Sequence, residues 1–181
     1  MTKHDGDNGE QTPGHDPAKW LGIYLDDHWA AAGAGCALAK RLAEQNEGTQ
    51  WYAELRRIAD EVELDEQTLQ RLRETRGKRG FSVKRLVAQG AERIGRLKPN
   101  GALTGYTPLA RVLELEALIA GVRSKRLLWR SLRQTDAARD VDLDQLESRA
   151  KAQVDTLQSI HKEATALAFG MRRVHEPAMP T

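Results

Sequence analysis

The stretch that decides the fold is residues 51–72, which read WYAELRRIADEVELDEQTLQRL. Apolar side chains recur here every three or four positions, so they form one stripe along a helix. The apolar members of that stripe are Trp51, Leu55, Ile58, Val62, Leu69 and Leu72. Asp65 takes the place in the stripe between Val62 and Leu69. A carboxylate in the core of a helical bundle is costly unless it has a partner, a metal ion or a route to water. We therefore predict a bundle with a polar site inside it.

Three further segments also read as amphipathic helices with one ionisable residue in the apolar stripe. One runs from Pro17 to about Gln45, one begins after Thr107, and one begins after Asp142. Each carries one ionisable residue where the helical spacing demands an apolar one, and these residues are His28, Glu116 and His161. β-branched residues are sparse, and no long stretch alternates apolar and polar residues. The sequence therefore predicts an all-α protein with four long helices.

The chain of 181 residues is long enough for one domain with a substantial core. We assign residues 17–170 to a single helical-bundle domain, residues 1–16 to a disordered acidic tail, and residues 171–181 to a loose C-terminal tail. A short amphipathic helix is predicted at residues 82–97, within the long connection between the second and third long helices. A connection of that length can return the chain along the bundle and make those two helices parallel. A five-helix up-and-down bundle is the alternative.

The first helix contains an unusually small run, Ala30-Ala31-Ala32-Gly33-Ala34-Gly35. We predict that it allows close approach of another helix, and space beside the helix for another molecule is the alternative. The single cysteine, Cys36, excludes an intramolecular disulfide and a cysteine-based zinc site. We predict that it is a small core residue and not a reactive thiol.

The charge pattern and the terminus bear on location and partners. The N-terminus is acidic and polar, which is not typical of a signal peptide. No apolar run approaches the ~20 residues of a membrane-spanning helix, so we predict a cytoplasmic protein. The formal net charge of +2 is too small to indicate nucleic-acid binding by itself.

The segment IADEVELDEQTL, residues 58–69, resembles the second helix of ferritin-like carboxylate proteins. The resemblance extends in layout over residues 18–169. It implies a ferritin-like four-helix bundle with a short extra helix in the long crossover connection. In that family, glutamates and Glu-x-x-His motifs converge from four helices on two metal ions. The resemblance therefore also implies iron or manganese as the cofactor, if any is bound.

The family motif is only partly present. Glu61 matches the second-helix glutamate, but Leu64 stands where that motif has histidine. His161 matches the histidine of the last helix, but Gln158 stands where that motif has glutamate. No Glu-x-x-His occurs in the chain. The pattern therefore departs from the family at both motifs.

The remaining candidate ligands come from the other two helices. Glu116 is placed on the inner stripe of the third long helix, and His28 is the first-helix substitute for a glutamate. From the rise of ~1.5 Å per residue, we expect Glu61, Glu116 and His161 to lie at similar heights. Asp65 and His28 then form a separate pair or support the site. The candidate metal ligands are Glu61, Glu116, His161, Asp65 and His28.

Three functions follow from these features. The first is a ferritin-like binding or stress-related scaffold that lacks the full di-metal site, in which the inward polar residues form structural pairs. The second is a metal-dependent oxidoreductase or metal-storage protein, so whether the chain is an enzyme stays open. The third is a basic module for nucleic acid or an anionic membrane face, with Lys84, Arg85, Arg93 and Arg96 as candidate contacts. The small-residue face and the tryptophans further predict a homo-oligomer.

Overall fold

The computed structural model describes residues 16–75 and 105–170, and these residues contain helices and no strand. The four long helices are α1 (Pro17–Glu44), α2 (Tyr52–Glu74), α3 (Pro108–Arg133) and α4 (Leu143–Phe169). A 3-10 turn, Asp136–Ala138, lies between α3 and α4. The predicted all-α class with four long helices is confirmed over the described residues.

Three of the four helices begin at the residues that the sequence indicated, and each of the three has a side-chain cap. Asp16 accepts a hydrogen bond from the backbone N–H of Lys19 at 3.0 Å. Thr107 and Asp142 accept equivalent bonds from N–H groups of their own first turns at 3.1 and 2.9 Å. These bonds satisfy N–H groups that lack a partner inside the helix, and each is typically worth ~1 kcal/mol. Pro17 and Pro108 occupy first-turn positions, where proline loses no helical hydrogen bond.

The helices form two closely packed antiparallel pairs, α1 with α2 and α3 with α4. The two pairs meet through α1 and α3 and, over a smaller area, through α2 and α4. Arg41 in the last turn of α1 pairs with Glu114 near the start of α3. At the other end, the Tyr24 hydroxyl lies 3.3 Å from the Ser131 hydroxyl. Helices α1 and α3 are therefore antiparallel.

The direction of α2 follows from its contact with α4. The indole N–H of Trp51, just before α2, donates to a carboxylate oxygen of Glu163 near the end of α4 at 2.8 Å. Helices α2 and α4 are thus antiparallel as well. Both α2 and α3 begin at the end of the bundle where α1 and α4 finish. The predicted parallel direction of the second and third long helices is confirmed.

One apolar core joins the four helices. Its largest fully buried apolar side chains are Leu25, Leu42, Leu55, Ile58, Leu115, Leu128, Trp129, Leu132 and Leu157. Burial of each such side chain contributes about 1.5–3 kcal/mol relative to exposure. Each of the four helices contributes to this list. Buried residues of α1, α2 and α4, among them Leu25, Leu55 and Leu157, belong to the apolar stripes of those helices, so these stripes face the core.

The predicted buried stripe of α3 is correct at Val112 and Ile119, which are buried, and wrong at its other members. Leu109 and Leu113, which the sequence placed on the inner stripe, are exposed, whereas Leu115 and Leu118 are buried. Leucines occur on several sides of this helix, so periodicity alone does not select one face. Packing of α3 against α1 and α4 decides which side is buried. Glu116, which shares a side with Leu109 and Leu113, is turned outward as a result.

Several predictions concern other parts of the chain. The short helix at residues 82–97, the C-terminal tail at 171–181 and, apart from Asp16, the tail at 1–16 lie outside the described residues. The same holds for the candidate nucleic-acid contacts Lys84, Arg85, Arg93 and Arg96. Among the described helices, none has an apolar stretch long enough to cross a bilayer.

Candidate functional site

Asp65 forms a buried ionic centre between α2, α3 and α4. Its side chain is fully buried. One carboxylate oxygen accepts from the ammonium of Lys125 on α3, and the other accepts from the guanidinium of Arg149 on α4. The need for a partner that the sequence indicated is thus met by two cations. Neither cation was assigned to Asp65 from the sequence.

A chain of hydrogen bonds links this centre to the surface. Lys125 also donates to the side-chain oxygen of the buried Gln153 at 2.8 Å, and the amide nitrogen of Gln153 donates to Glu61 at 2.9 Å. Arg57 on the surface of α2 then binds Glu61 at 2.5 Å. We call Glu61, Asp65, Lys125, Arg149 and Gln153 the Asp65 cluster.

The electrostatics of the Asp65 cluster oppose an additional cation. Burial lowers the pKa of Lys125, and the neighbouring Asp65 offsets part of that effect. Two acidic groups, Asp65 and Glu61, face two basic groups, Lys125 and Arg149, so the formal charge of the cluster is zero. A metal ion placed against Asp65 would meet both cations at short range, where like charges repel strongly.

A second buried carboxylate belongs to Glu114, which the sequence did not place on the inner stripe of this helix. Only 3% of Glu114 is exposed. Arg41 binds one of its oxygens, and the Tyr106 hydroxyl donates to the other at 3.1 Å. Burial and the adjacent Glu114 raise the pKa of Tyr106. The apolar spacing Val112, Leu115, Ile119 is the signal that places Glu114 at the margin of the buried face.

Glu116 and His161 come together on the surface between α3 and α4. His161 Nε2 lies 3.1 Å from a carboxylate oxygen of Glu116, whose side chain is 54% exposed. Their predicted proximity is confirmed, but the predicted inward position of Glu116 is wrong because α3 presents another face to the core. Glu61 does not join them, since its hydrogen bonds are made to Arg57 and Gln153.

His28 does not form the predicted pair with Asp65. Its ring packs edge-on against the ring of Tyr24, with centroids 4.6 Å apart. Within the described ranges no hydrogen bond joins His28 to Asp65, whose two oxygens are taken by Lys125 and Arg149. Burial lowers the pKa of His28, and Asp27 opposes this only in part.

The lowered pKa of His28 predicts a pH effect on stability. The unfolded value is 6.5, so at acidic pH the unfolded chain binds this proton more readily than the folded chain. Stability should therefore fall as the pH drops through 6.5 toward the folded pKa of His28. We expect His28→Gln to remove this contribution, which urea unfolding at several pH values would measure. Equal pH dependence in wild type and variant would contradict the assignment.

A cavity of about 110 Å³ lies between α1, α2 and α3. One wall consists of small residues of α1, including Ala32 and Gly35, and the facing wall includes Ala117 and Gly121 of α3. Beside Gly35 the predicted close approach of another helix does not occur, although α1 and α2 pack closely elsewhere along their length. A β-carbon built on Gly35 or Gly121 would have no atom within 4 Å. The small residues leave space, which was the alternative interpretation.

Cys36 lies half-buried beside this region. Its sulfur is 3.7 Å from the backbone oxygen of Val62. Burial, together with Glu66 and Glu63, raises the pKa of its thiol to about 11. The thiolate is therefore scarce at neutral pH, which fits the prediction of an unreactive residue.

The described residues contain no group of three or more histidine, cysteine, aspartate or glutamate side chains placed to hold a metal ion. Of the five candidate ligands, which all lie in the described ranges, only Glu116 and His161 are joined by a direct side-chain hydrogen bond. At the end of α3, Arg126, Arg130 and Arg133 converge on Glu147 at 3.2, 3.6 and 2.5 Å, and Asp144 also pairs with Arg133, so this group keeps a net positive charge. Nucleic-acid binding through residues 84–96 stays a prediction.

Comparisons with protein-family models, with curated proteins and with solved structures each found no match. The geometry of the described residues is therefore what supports a function.

Proposed function

We propose that the protein is a ferritin-like binding scaffold in which an ionic cluster replaces a di-metal centre. The helix directions support the ferritin-like frame: two antiparallel pairs, with parallel α2 and α3 joined by one long connection. The observation that carries the proposal is the position of Lys125 and Arg149 on the two oxygens of Asp65.

The proposal follows from charge balance. A di-metal site uses carboxylates and imidazoles to neutralise two metal ions. Here the carboxylates of the Asp65 cluster are neutralised by protein cations from α3 and α4. A buried ion pair of this kind fixes the register of the helices but does not by itself supply chemistry. In this proposal the bundle serves as a binding scaffold and carries no redox-active metal centre in its core.

Metal retention tests the proposal directly. The purified full-length chain is incubated with iron, manganese or zinc and desalted, and its metal content is measured by elemental analysis. We expect retention far below one ion per chain, because the Asp65 cluster already balances its own charges. Glu61→Ala is the matched variant within the cluster, and it should leave metal content unchanged.

The contrary result would favour the metal-dependent alternative, an oxidoreductase or a metal-storage protein. That alternative is supported by the contact between Glu116 and His161, since carboxylate and imidazole together are common metal ligands. Near-stoichiometric iron or manganese that is lost in Glu116→Ala and in His161→Ala would overturn the scaffold proposal. Oxygen-reaction assays of the loaded protein would then follow.

We also propose that the protein self-associates, but through a surface other than the small-residue face and the tryptophans from which self-association was predicted. The tryptophans pack mainly within the bundle, since Trp51 and Trp129 are buried and the Arg73 guanidinium lies over Trp29, 4.3 Å from its ring centre. One group of exposed apolar side chains lies near the start of α3 and the end of α4, at the same end of the bundle. These residues are Leu109, Leu113, Leu167 and Phe169.

A further inference from the structure

The space between α1 and α3 is open along the middle of the two helices. Hydrogen bonds join this pair near its two ends, and the cavity lies between those ends. Three of the residues that line the cavity, Ala31, Gly121 and Ser124, are exposed. The cavity is therefore the inner part of a groove that opens at the surface. We call it the α1–α3 groove, and its walls are Ala31, Gly35, Ala117, Gly121 and Ser124.

The α1–α3 groove has small walls, an apolar floor and a polar edge. The buried residues Leu38, Val62 and Val122 belong to the floor. Asp65 and Lys125 also line it and are paired with each other. An apolar floor between small side chains is the kind of surface into which an amphipathic helix places its apolar face. The remaining polar lining residues, which are half-buried or exposed, are His28, Glu66 and Ser124.

Residues 82–97 of the same chain carry the sequence pattern of such a helix. A helix with one apolar stripe needs an apolar surface on which to bury it. The four described helices already pack their buried faces into one common core, so the surface for residues 82–97 lies outside that core. This segment has four basic residues and one acidic residue, and Glu66 at the edge of the groove carries the opposite charge. The apolar residues of its stripe are Val83, Leu86, Val87, Ile94 and Leu97.

The place of this segment in the chain directs it along the bundle. Helix α2 ends at Glu74, and α3 begins at Pro108 at the opposite end of the bundle. The connection between them must therefore return along the length of α2, which has 23 residues and measures ~35 Å at ~1.5 Å per residue. Residues 82–97 in helical form span ~24 Å, so they supply most of this return.

The connection can return over the α1 side or over the α4 side, because α2 and α3 occupy opposite corners of the bundle. On the α4 side, contacts bridge α2 and α4 at separate points along their length. Trp51 binds Glu163 near one end, and Asp65 binds Arg149 further along. On the α1 side, the α1–α3 groove is open. The groove therefore offers the path on which an apolar stripe can be buried.

We propose that residues 82–97 dock as a helix in the α1–α3 groove, with their apolar stripe on its floor. The segment starts at the end of the bundle where α3 finishes, so it runs antiparallel to α3. It supplies the close approach of another helix that the small residues of α1 allow. Arg85 and Arg96, about half a turn from the centre of the stripe, then lie on the outer side. This inference goes beyond the proposed function and does not depend on metal content.

Disulfide trapping in the full-length chain tests the proposal. Cys36→Ser removes the single natural thiol, and Ser124→Cys places a thiol at the groove. Val83, Val87 and Gly90, which follow the stripe, are each replaced by cysteine in turn. A disulfide needs two Cα atoms within about 7 Å of each other. After oxidation with copper phenanthroline, we expect at least one of the three variants to lose both free thiols while it stays a single chain.

Matched controls change one of the two positions at a time. Arg85→Cys and Glu92→Cys, each combined with Ser124→Cys, place the second thiol on the opposite side of the same predicted helix. Ser159→Cys replaces Ser124→Cys with a thiol on the exposed face of α4, away from the groove. Every control should keep both free thiols. Circular dichroism before oxidation compares the helix content of each variant with that of wild type.

Three results would overturn the proposal. The first is retention of both free thiols at all three positions along the stripe. The second is equal disulfide formation from the stripe and from the opposite side of the segment, which would show contact without docking of a defined face. The third is a disulfide between two chains in place of one within a chain, which would assign the α1–α3 groove to a second copy of the protein.

Discussion

Replacement of Asp65 by alanine is expected to lower the free energy of unfolding by about 3–5 kcal/mol. The substitution removes the acceptor of two cations, and Lys125 is then left largely buried without its counter-ion. Removal of one partner of a buried ion pair costs more than the pair itself contributes, because the remaining charge stays desolvated. Urea unfolding followed by circular dichroism at neutral pH would measure the change.

Asp60→Ala is the matched control on the same helix. Asp60 is 54% exposed and pairs with Arg56 at 3.2 Å, so its loss should cost no more than about 1 kcal/mol. Similar losses for Asp65→Ala and Asp60→Ala would show that the buried cluster contributes no more than a surface pair. That outcome would contradict the energetic role assigned to the Asp65 cluster.

A triple replacement separates the cost of an unpaired buried charge from the contribution of the intact cluster to the free energy of unfolding. Asp65→Leu, Lys125→Met and Arg149→Met together remove all three charges and keep apolar volume. Buried ion pairs replaced in this way are often neutral or stabilising, so the triple variant should be more stable than Asp65→Ala. A triple variant less stable than Asp65→Ala would show that the cluster is needed for packing itself.

Trp129→Ala is the second change with a large expected effect, a loss of about 3–5 kcal/mol in the free energy of unfolding. Trp129 is fully buried and lies where the core meets the cavity. Its removal takes a large apolar side chain out of the core and leaves a cavity in its place. Thermal or urea unfolding followed by far-ultraviolet circular dichroism would measure the difference in the free energy of unfolding between variant and wild type.

Trp20→Ala is the control for the same chemical change. Trp20 is 54% exposed at the start of α1, and substitutions at exposed sites are usually within about 0.5 kcal/mol of wild type. A small effect of Trp129→Ala, close to that of Trp20→Ala, would place Trp129 outside the cooperative core.

The helix boundaries were predictable because the signals that set them are local. Asp16, Thr107 and Asp142 cap the first turns of their own helices with side chains three residues from the bonded N–H groups. The stripe of α2 was predictable for a similar reason, since its apolar residues occupy a single face. Such features need no information about distant parts of the chain.

The face of α3 was not predictable from its own sequence. Leucines at positions 109 and 113 and at positions 115 and 118 satisfy helical spacing equally well, and only the second set is buried. Because of that ambiguity, the prediction placed Glu116 on the buried face and Glu114 away from it, whereas the structure buries Glu114. Which side of α3 is buried depends on where the neighbouring helices contact it, and the sequence of α3 alone does not specify those contacts.

The sequence by itself determined the helical class, the caps, the number of long helices and the presence of a buried aspartate that needs a partner. The tertiary structure decided which partner that is. Asp65 meets Lys125 and Arg149, which lie 60 and 84 positions away along the chain. It likewise decided that the small residues of α1 border a cavity. Local patterns fix where a helix begins and which residues it must bury, whereas pairing and empty space depend on how distant helices approach one another.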